Sequence, residues 1–196
     1  TIIMKNIFWN DVLRYSAILG VGMGLSKIYE TYELFIGGGD GIGALFVLEW
    51  FVVMILFVVL LYKFTKRHSQ YYNDEQGFSF ATGLAFVVTI TMLTGVIVGV
   101  MEYIFISIVG YESFVEGYLS LVGYYMNLIS ESGLELSEDM VNQVVALQEA
   151  VRKSSAPSML DTLFAALYNY SLIGVVLGLI IAAIVRRGAV KQINQQ

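Results

Sequence analysis

The stretch that decides the fold is residues 80–108, FATGLAFVVTITMLTGVIVGVMEYIFISI. About 20 predominantly apolar residues, each adding about 1.5 Å, are enough for a helix to cross the hydrocarbon core of a bilayer. Thr91, Gly95 and Gly99 are spaced four residues apart, so on a helix they form one stripe of small side chains, which Glu102 continues. We therefore expect a spanning helix whose smooth face, with its carboxyl group, meets another helix rather than lipid.

The composition of the whole chain is typical of a membrane protein. Of its 196 residues, 57% are hydrophobic and only 14% are charged, whereas soluble domains are about a quarter charged. The chain has no cysteine, which excludes disulfides, cysteine-ligated metal sites and thiol catalysis. Its net charge of −5 argues against a nucleic-acid partner. The lipid bilayer is the first partner that the sequence predicts.

Four apolar stretches predict an all-α integral membrane protein with a single membrane domain over residues 1–196. The spanning helices are expected at about residues 12–36, 44–64, 80–108 and 158–185. The glycine-rich connection at residues 37–43 follows no strand, so it is not interpreted as a nucleotide-binding loop.

The segment between the third and fourth spans, residues 110–157, is expected to lie outside the membrane and to form one or two amphipathic helices. The second of these is predicted over residues 138–153, with Ser137 as its N-cap. The predicted apolar faces are Val115, Tyr118, Val122, Tyr125 and Ile129 on the first helix, and Val141, Val144, Val145, Leu147 and Val151 on the second. Such faces can lie on the membrane, cap the spanning helices or bind a partner, and the sequence leaves these three uses open.

Basic residues near the predicted span ends are concentrated on one side of the membrane. Eight of the 11 Lys and Arg residues fall on that side: Lys5, Arg14, Lys63, Lys66, Arg67, Arg186, Arg187 and Lys191. Because cytoplasmic loops carry the excess of Lys and Arg, we expect both termini in the cytoplasm and the acidic segment 110–157 outside.

Small residues at four-residue spacing form stripes on three of the four predicted spans. The stripes are Ser16, Gly20 and Gly24 on the first span, Thr91, Gly95 and Gly99 on the third, and Gly174, Gly178 and Ala182 on the fourth. Stripes of this kind serve packing within one chain as readily as dimerisation. With three of four spans carrying one, we expect intramolecular packing, and an oligomer stays open.

Five polar residues lie within the predicted spans: Lys27, Glu30, Glu49, Glu102 and Asn169. In a structural interpretation, Lys27 pairs with Glu49 or Glu30, which avoids a bare charge in lipid. In a functional interpretation, the carboxylates line an outward-facing cavity that receives a cation, a proton or a polar head group. We expect the structural role.

No catalytic, phosphate-binding or calcium-binding motif occurs in the sequence, so we expect neither an enzyme nor a cofactor or metal. His68 is the only histidine and follows Arg67 at the end of the second predicted span. With no triad or metal-binding pattern around it, we expect a solvated residue in a cytoplasmic loop.

Three places in the chain resemble an uncharacterised family of small bacterial inner-membrane proteins, classed as a domain of unknown function. They are residues 74–80 (DEQGFSF) with Ala85 and Phe86, residues 102–105 (EYIF), and residues 156–159 (APSM) followed by residues 174–187. The resemblance implies a multi-pass protein of the bacterial inner membrane, with a polyprenyl-phosphate glycosyltransferase as a membrane protein partner. The expected function is a non-enzymatic scaffold or accessory subunit of an envelope complex. The alternative is a small transporter or lipid-binding protein that uses the polar residues.

Overall fold

The structure is a computed structural model that describes residues 2–35, 44–73, 77–133 and 137–188. These residues form six α-helices: α1 (Ile2–Phe35), α2 (Ala44–Ser69), α3 (Phe80–Val109), α4 (Tyr111–Glu131), α5 (Glu138–Lys153) and α6 (Met159–Val185). The predicted connection at residues 37–43, residues 74–76 of the resemblance and Lys191 lie outside the described ranges. The predicted all-α architecture is confirmed.

Three of the described helices are long and apolar enough to cross a membrane, over Leu48–Ser69, Phe80–Val109 and Met159–Val185. The chain is therefore a membrane protein. α1, the predicted first span, is not among the three. It is longer than predicted and carries six charged residues: Lys5, Asp11, Arg14, Lys27, Glu30 and Glu33.

α3 and α6 form the most extensive contact in the protein. Gly83, near the start of α3, lies against Ala182, near the end of α6. Nearer the end of α3, Gly99 lies against Leu163, near the start of α6. The two helices are therefore antiparallel, and they touch along most of their length.

α1 packs on α3 and runs parallel to it. Gly20 of α1 lies against Ile97 of α3, and Gly24 lies against Met101. At the far end of α1, the ring of Phe35 contacts Phe114 of α4. α1 thus extends from the start of α3 to the helix that follows α3.

α2 is packed through its C-terminal part. Its buried side chains are Phe57, Leu61, Thr65, His68 and Ser69. Large apolar side chains nearer its start are exposed: Leu48, Trp50, Phe51, Val52, Ile55 and Leu56. The sequence predicted that the helix ends near residue 64. It continues to Ser69 because Thr65 and His68 are buried against the other helices.

Serine side chains cap the N-termini of three helices, α3, α5 and α6. Ser79 accepts a hydrogen bond from the backbone N–H of Thr82 at the start of α3. The predicted N-cap Ser137 is confirmed, since its side chain accepts from the backbone N–H of Met140 in α5. Each of these serines satisfies a backbone N–H that has no partner within its own helix. At the end of α3, Gly110 adopts a φ of 90°, which a residue without Cβ tolerates, and α4 begins at once.

One end of the long helices, here called the basic end, gathers the C-termini of α2 and α6 and the N-terminus of α3. An isolated antiparallel bridge joins Phe78 to Arg187, with backbone N···O distances of 2.9 Å in both directions. The guanidinium of Arg187 also donates to the backbone carbonyls of Ser69 and Tyr72. These contacts fasten the end of α6 to the turn that follows α2.

Candidate functional site

The structure brings together three of the five polar residues predicted within the spans. Nζ of Lys27 lies 3.2 Å from Oε2 of Glu30, one turn further along α1. Glu102 on α3 is partly buried and close enough to both residues for electrostatic interaction. One cation and two carboxylates therefore share the contact between α1 and α3.

The other two predicted polar residues lie apart from this group. Glu49 of α2 interacts electrostatically with Tyr29, and Asn169 is exposed on α6. Lys27 was predicted to pair with Glu49 or Glu30, and in the structure it pairs with Glu30. Among the described residues no ion pair joins Lys27 to Glu49.

The small-residue stripes on α3 and α6 face each other. A Cβ added at Gly95 would come within 2.9 Å of the carbonyl oxygen of Ala166, and one added at Gly174 would collide with the hydroxyl of Thr91. A Cβ at Gly178 would come within 2.8 Å of Leu84. The two helices approach so closely at Gly95 and Gly174 that an added methyl group does not fit, whereas at Gly178 it would displace the flexible end of the Leu84 side chain.

The stripe on α1 faces α3. A Cβ at Gly20 would lie 2.7 Å from Ile97, and one at Gly24 would overlap the sulfur of Met101. Ser16 is buried, and its hydroxyl donates to the carbonyl of Val12 in the same helix. The side chains of Ile97 and Met101 thus fill the space that the two glycines leave. In a membrane, where burial of apolar surface contributes little between helices, close van der Waals packing of this kind is a main source of association.

A polar pair that the sequence did not predict lies at the basic end. Nδ1 of His68, on α2, is 2.8 Å from Oδ2 of Asp11, on α1. His68 is 1% exposed and Asp11 is 5% exposed. The expectation that His68 is a solvated loop residue is wrong, because α2 continues past it and packs it against α1.

Aromatic rings enclose the imidazole of His68. Its ring stacks on Phe86 of α3 with centroids 4.0 Å apart and an angle of 7° between the planes. Phe8, Tyr72 and Phe78 contact it edge-on, with centroids 5.7, 5.8 and 6.3 Å away. Burial in this cluster also raises the pKa of Tyr72. The ring is thus held by three helices and by the turn between α2 and α3.

The hydrogen bonds of the pair limit what it can do chemically. An ionised Asp11 can only accept, so the proton of the shared bond belongs on Nδ1 of His68. Nε2 is buried and has no hydrogen-bond partner among the described residues. Because neither ring nitrogen is open to solvent, the arrangement favours a tether between α1 and α2 over a general base that meets a substrate.

The sequence carries only a weak signal for this pair. Asp11 and His68 are 57 residues apart, and nothing in local spacing links them. Asp11 precedes the predicted first span and His68 follows the predicted second span. Antiparallel helices joined by a short connection bring such positions together, so a charged residue at each end of a predicted hairpin was the available clue.

A groove that could hold a ligand lies between the start of α4 and the segment linking α5 to α6. Its volume is about 870 Å³, and its charged lining residues are Glu112, Glu116 and Arg152. The hydroxyls of Tyr111 and Ser154 meet beside it, 2.8 Å apart. This mixed lining favours no single class of ligand. Among the described residues, no group of three or more His, Asp or Glu side chains is placed to hold a metal ion.

A protein family described as "Protein of unknown function (DUF4199)" matches residues 14–187, which include five of the six helices entirely and most of α1. The chain belongs to this family, and the predicted resemblance to an uncharacterised family is confirmed. No curated protein and no solved structure matches the chain.

Proposed function

We propose that the chain, as a member of this family, is a non-enzymatic membrane scaffold or accessory subunit of a bacterial envelope complex. In this role it binds another membrane protein through the segment that follows α3. The partner class to look for first is the polyprenyl-phosphate glycosyltransferase that the sequence resemblance suggests.

The observation that carries the proposal is the surface of α5. This helix contacts only α4 among the described elements, and none of its residues is buried. Its apolar side chains Val141, Val145 and Leu147 are between 37% and 49% exposed. Because α5 packs on none of the long helices, its apolar face is available to a partner and does not cap them.

The polar groups among the long helices support a structural role. Lys27 is paired with Glu30, and Asp11 is paired with His68. Ionisable groups that transport a substrate need access to a water-filled path, whereas paired groups within helix contacts hold helices together.

Photo-crosslinking in native membranes tests the proposal. A photoreactive amino acid replaces Leu147 on the apolar face of α5, and in a matched control it replaces the exposed Asn142, about 140° away around the helix. We expect a protein adduct of defined mass from position 147 and none from position 142. Adducts to lipid alone from position 147 would place α5 on the membrane surface and overturn the proposal.

A second experiment uses the same two positions without a photoreactive group. Leu147→Asp should abolish co-purification of the partner, because a charge disrupts an apolar interface, while Asn142→Asp should leave it unchanged. Both side chains are exposed, so neither substitution disturbs the packing of the protein. Equal recovery of the partner with both variants would contradict the proposal.

A small transporter or lipid-binding protein is the second candidate. The observation that favours it is that Lys27 and Glu30 remain 41% and 29% exposed despite lying between helices. In this case Glu102→Gln should abolish uptake of a cation or proton into vesicles, while Glu112→Gln outside the spans should not. Unchanged uptake in both variants would remove this candidate.

The proposed topology has four spans, with both termini in the cytoplasm and α4 and α5 outside. α1 is the fourth span, in addition to the three apolar helices α2, α3 and α6. Its contacts support it, since the ring of Phe8 meets His68 at the basic end and the ring of Phe35 meets Tyr118 of α4. A helix of 34 residues is about 50 Å long, which exceeds the hydrocarbon thickness of about 30 Å.

A further inference from the structure

A small groove lies at the basic end, between the last turns of α2 and α6. Its volume is about 280 Å³. Its lining includes Tyr62, Lys66 and Gln70 on one side, and Ile184, Arg186 and Arg187 on the other. Pockets that enclose a whole small ligand are about 300–1,000 Å³, so this groove suits a head group whose remaining atoms lie outside.

The groove is positively charged. It contains three cations and no carboxylate. In the described part of the chain no ion pair involves Lys66, Arg186 or Arg187. The ammonium of Lys66 lies 5.8 Å from the centroid of the Tyr62 ring, and the guanidinium of Arg187 donates to the backbone carbonyls of Ser69 and Tyr72. Charged donors in this arrangement match a phosphate, for which arginine and lysine are the usual protein partners.

The groove is continuous with an apolar surface of the spanning helices. Ile184 forms part of its wall and is 64% exposed, and Ile180, one turn earlier on α6, is 55% exposed. On α2, Val59 is also exposed, and it lies about two turns before Lys66 on the same side of that helix. A soluble anion would use the cations alone, whereas a phospholipid would use the cations and this apolar surface together.

We propose that this groove binds the phosphate of an anionic phospholipid, whose acyl chains lie along α6 beyond Ile184. The lipid fills the space between the ends of α2 and α6. It thereby adds a contact to the one that Arg187 makes with the carbonyl of Ser69.

Native mass spectrometry of the full chain in detergent tests the proposal, with phosphatidylglycerol as the probe. We expect a single bound lipid. In the double variant Lys66→Gln/Arg186→Gln the apparent affinity should fall roughly 25-fold, since each basic residue near an anionic lipid contributes about a factor of five. Lys66 and Arg186 are exposed, so their loss leaves the helix packing intact. An unchanged elution profile in gel filtration verifies this.

The matched control is Lys63→Gln/Arg67→Gln, which removes the same charge from exposed positions of α2 outside the groove. Its affinity should fall less than about threefold, because salt screens charges that do not contact the lipid. Equal losses in the two double variants would show diffuse attraction only and overturn the proposal.

Competition with inorganic phosphate is a second experiment on the same groove. Displacement of the lipid by phosphate at the same concentration would assign the groove to a soluble phosphate and overturn the lipid assignment.

Discussion

Among single residues, His68 and Asp11 have the largest expected effect on stability. Both are buried, and each is the hydrogen-bond partner of the other. Removing one member of a buried pair leaves the other desolvated and unpaired, which costs more than removing both. The pair also joins α1 to α2, whose remaining packing with each other is sparse.

We therefore expect His68→Leu to lower the free energy of unfolding by about 3 kcal/mol, and Asp11→Leu by a similar amount. The double variant should lose less than the sum of the two, by about 1–3 kcal/mol. Unfolding of the purified protein by sodium dodecyl sulfate measures these losses. Lys63→Gln, an exposed charge on the same helix, should change stability by less than about 0.5 kcal/mol. Additive losses from the two leucine variants would contradict the pairing.

The polar residues within the spans could be predicted from the sequence only in part. The three-residue spacing of Lys27 and Glu30 places them on one helix face, so their ion pair follows from local geometry. A contact of Lys27 with Glu49 would depend on where two helices cross, which local spacing does not give. The same reason applies to His68. A lone histidine beside a basic residue gives no sign that a carboxylate from another helix lies 2.8 Å away.

At the level of helices, the close contact between α3 and α6 depends on glycine. At Gly95 the neighbouring atom is a backbone carbonyl oxygen, which cannot move as a flexible side chain can. Gly22 on α1 provides a contrast, because a Cβ there would meet nothing within 4 Å. The two sites share a helical backbone and differ in what lies opposite.

Gly95→Ala should destabilise the protein by about 1–3 kcal/mol, the usual cost of overpacking a tight contact. Gly22→Ala should be neutral or stabilising by up to about 1 kcal/mol, because alanine favours the helix over glycine. The same detergent unfolding experiment compares them. If Gly95→Ala were as stable as Gly22→Ala, the backbones of α3 and α6 would not be in close contact at this position.

Helix positions were predicted better than helix partners. The third and fourth predicted spans agree with α3 and α6 to within a residue at each end, because serine caps and long apolar runs are local signals. The small-residue spacing indicated that close packing occurs. It did not indicate that Gly174 faces Thr91, which depends on how far two helices slide past each other. The end of α2 was missed because Lys66, Arg67 and His68 look like a loop, yet His68 is buried.

The decisive question about the whole molecule is whether α1 crosses the membrane. Its composition argues against this, with five charged residues between Asp11 and Glu33. Its contacts argue for it, since α1 lies along α3. The charge on Asp11 meets His68, and that on Lys27 meets Glu30. Pairing lowers the cost of placing charged groups within a membrane, so composition alone underestimates the ability of such a helix to cross it.

The absence of cysteine allows a direct test with single cysteines at three exposed positions. With four spans, Asn6→Cys should lie on the same side as Gln70→Cys, and Glu149→Cys on the other. A membrane-impermeant maleimide added to intact spheroplasts should label only the cysteine at position 149. The cysteines at all three positions should react after lysis. If α1 does not cross, position 6 reacts together with position 149. Labelling of positions 6 and 70 but not 149 would keep four spans and reverse the orientation that the basic residues predict.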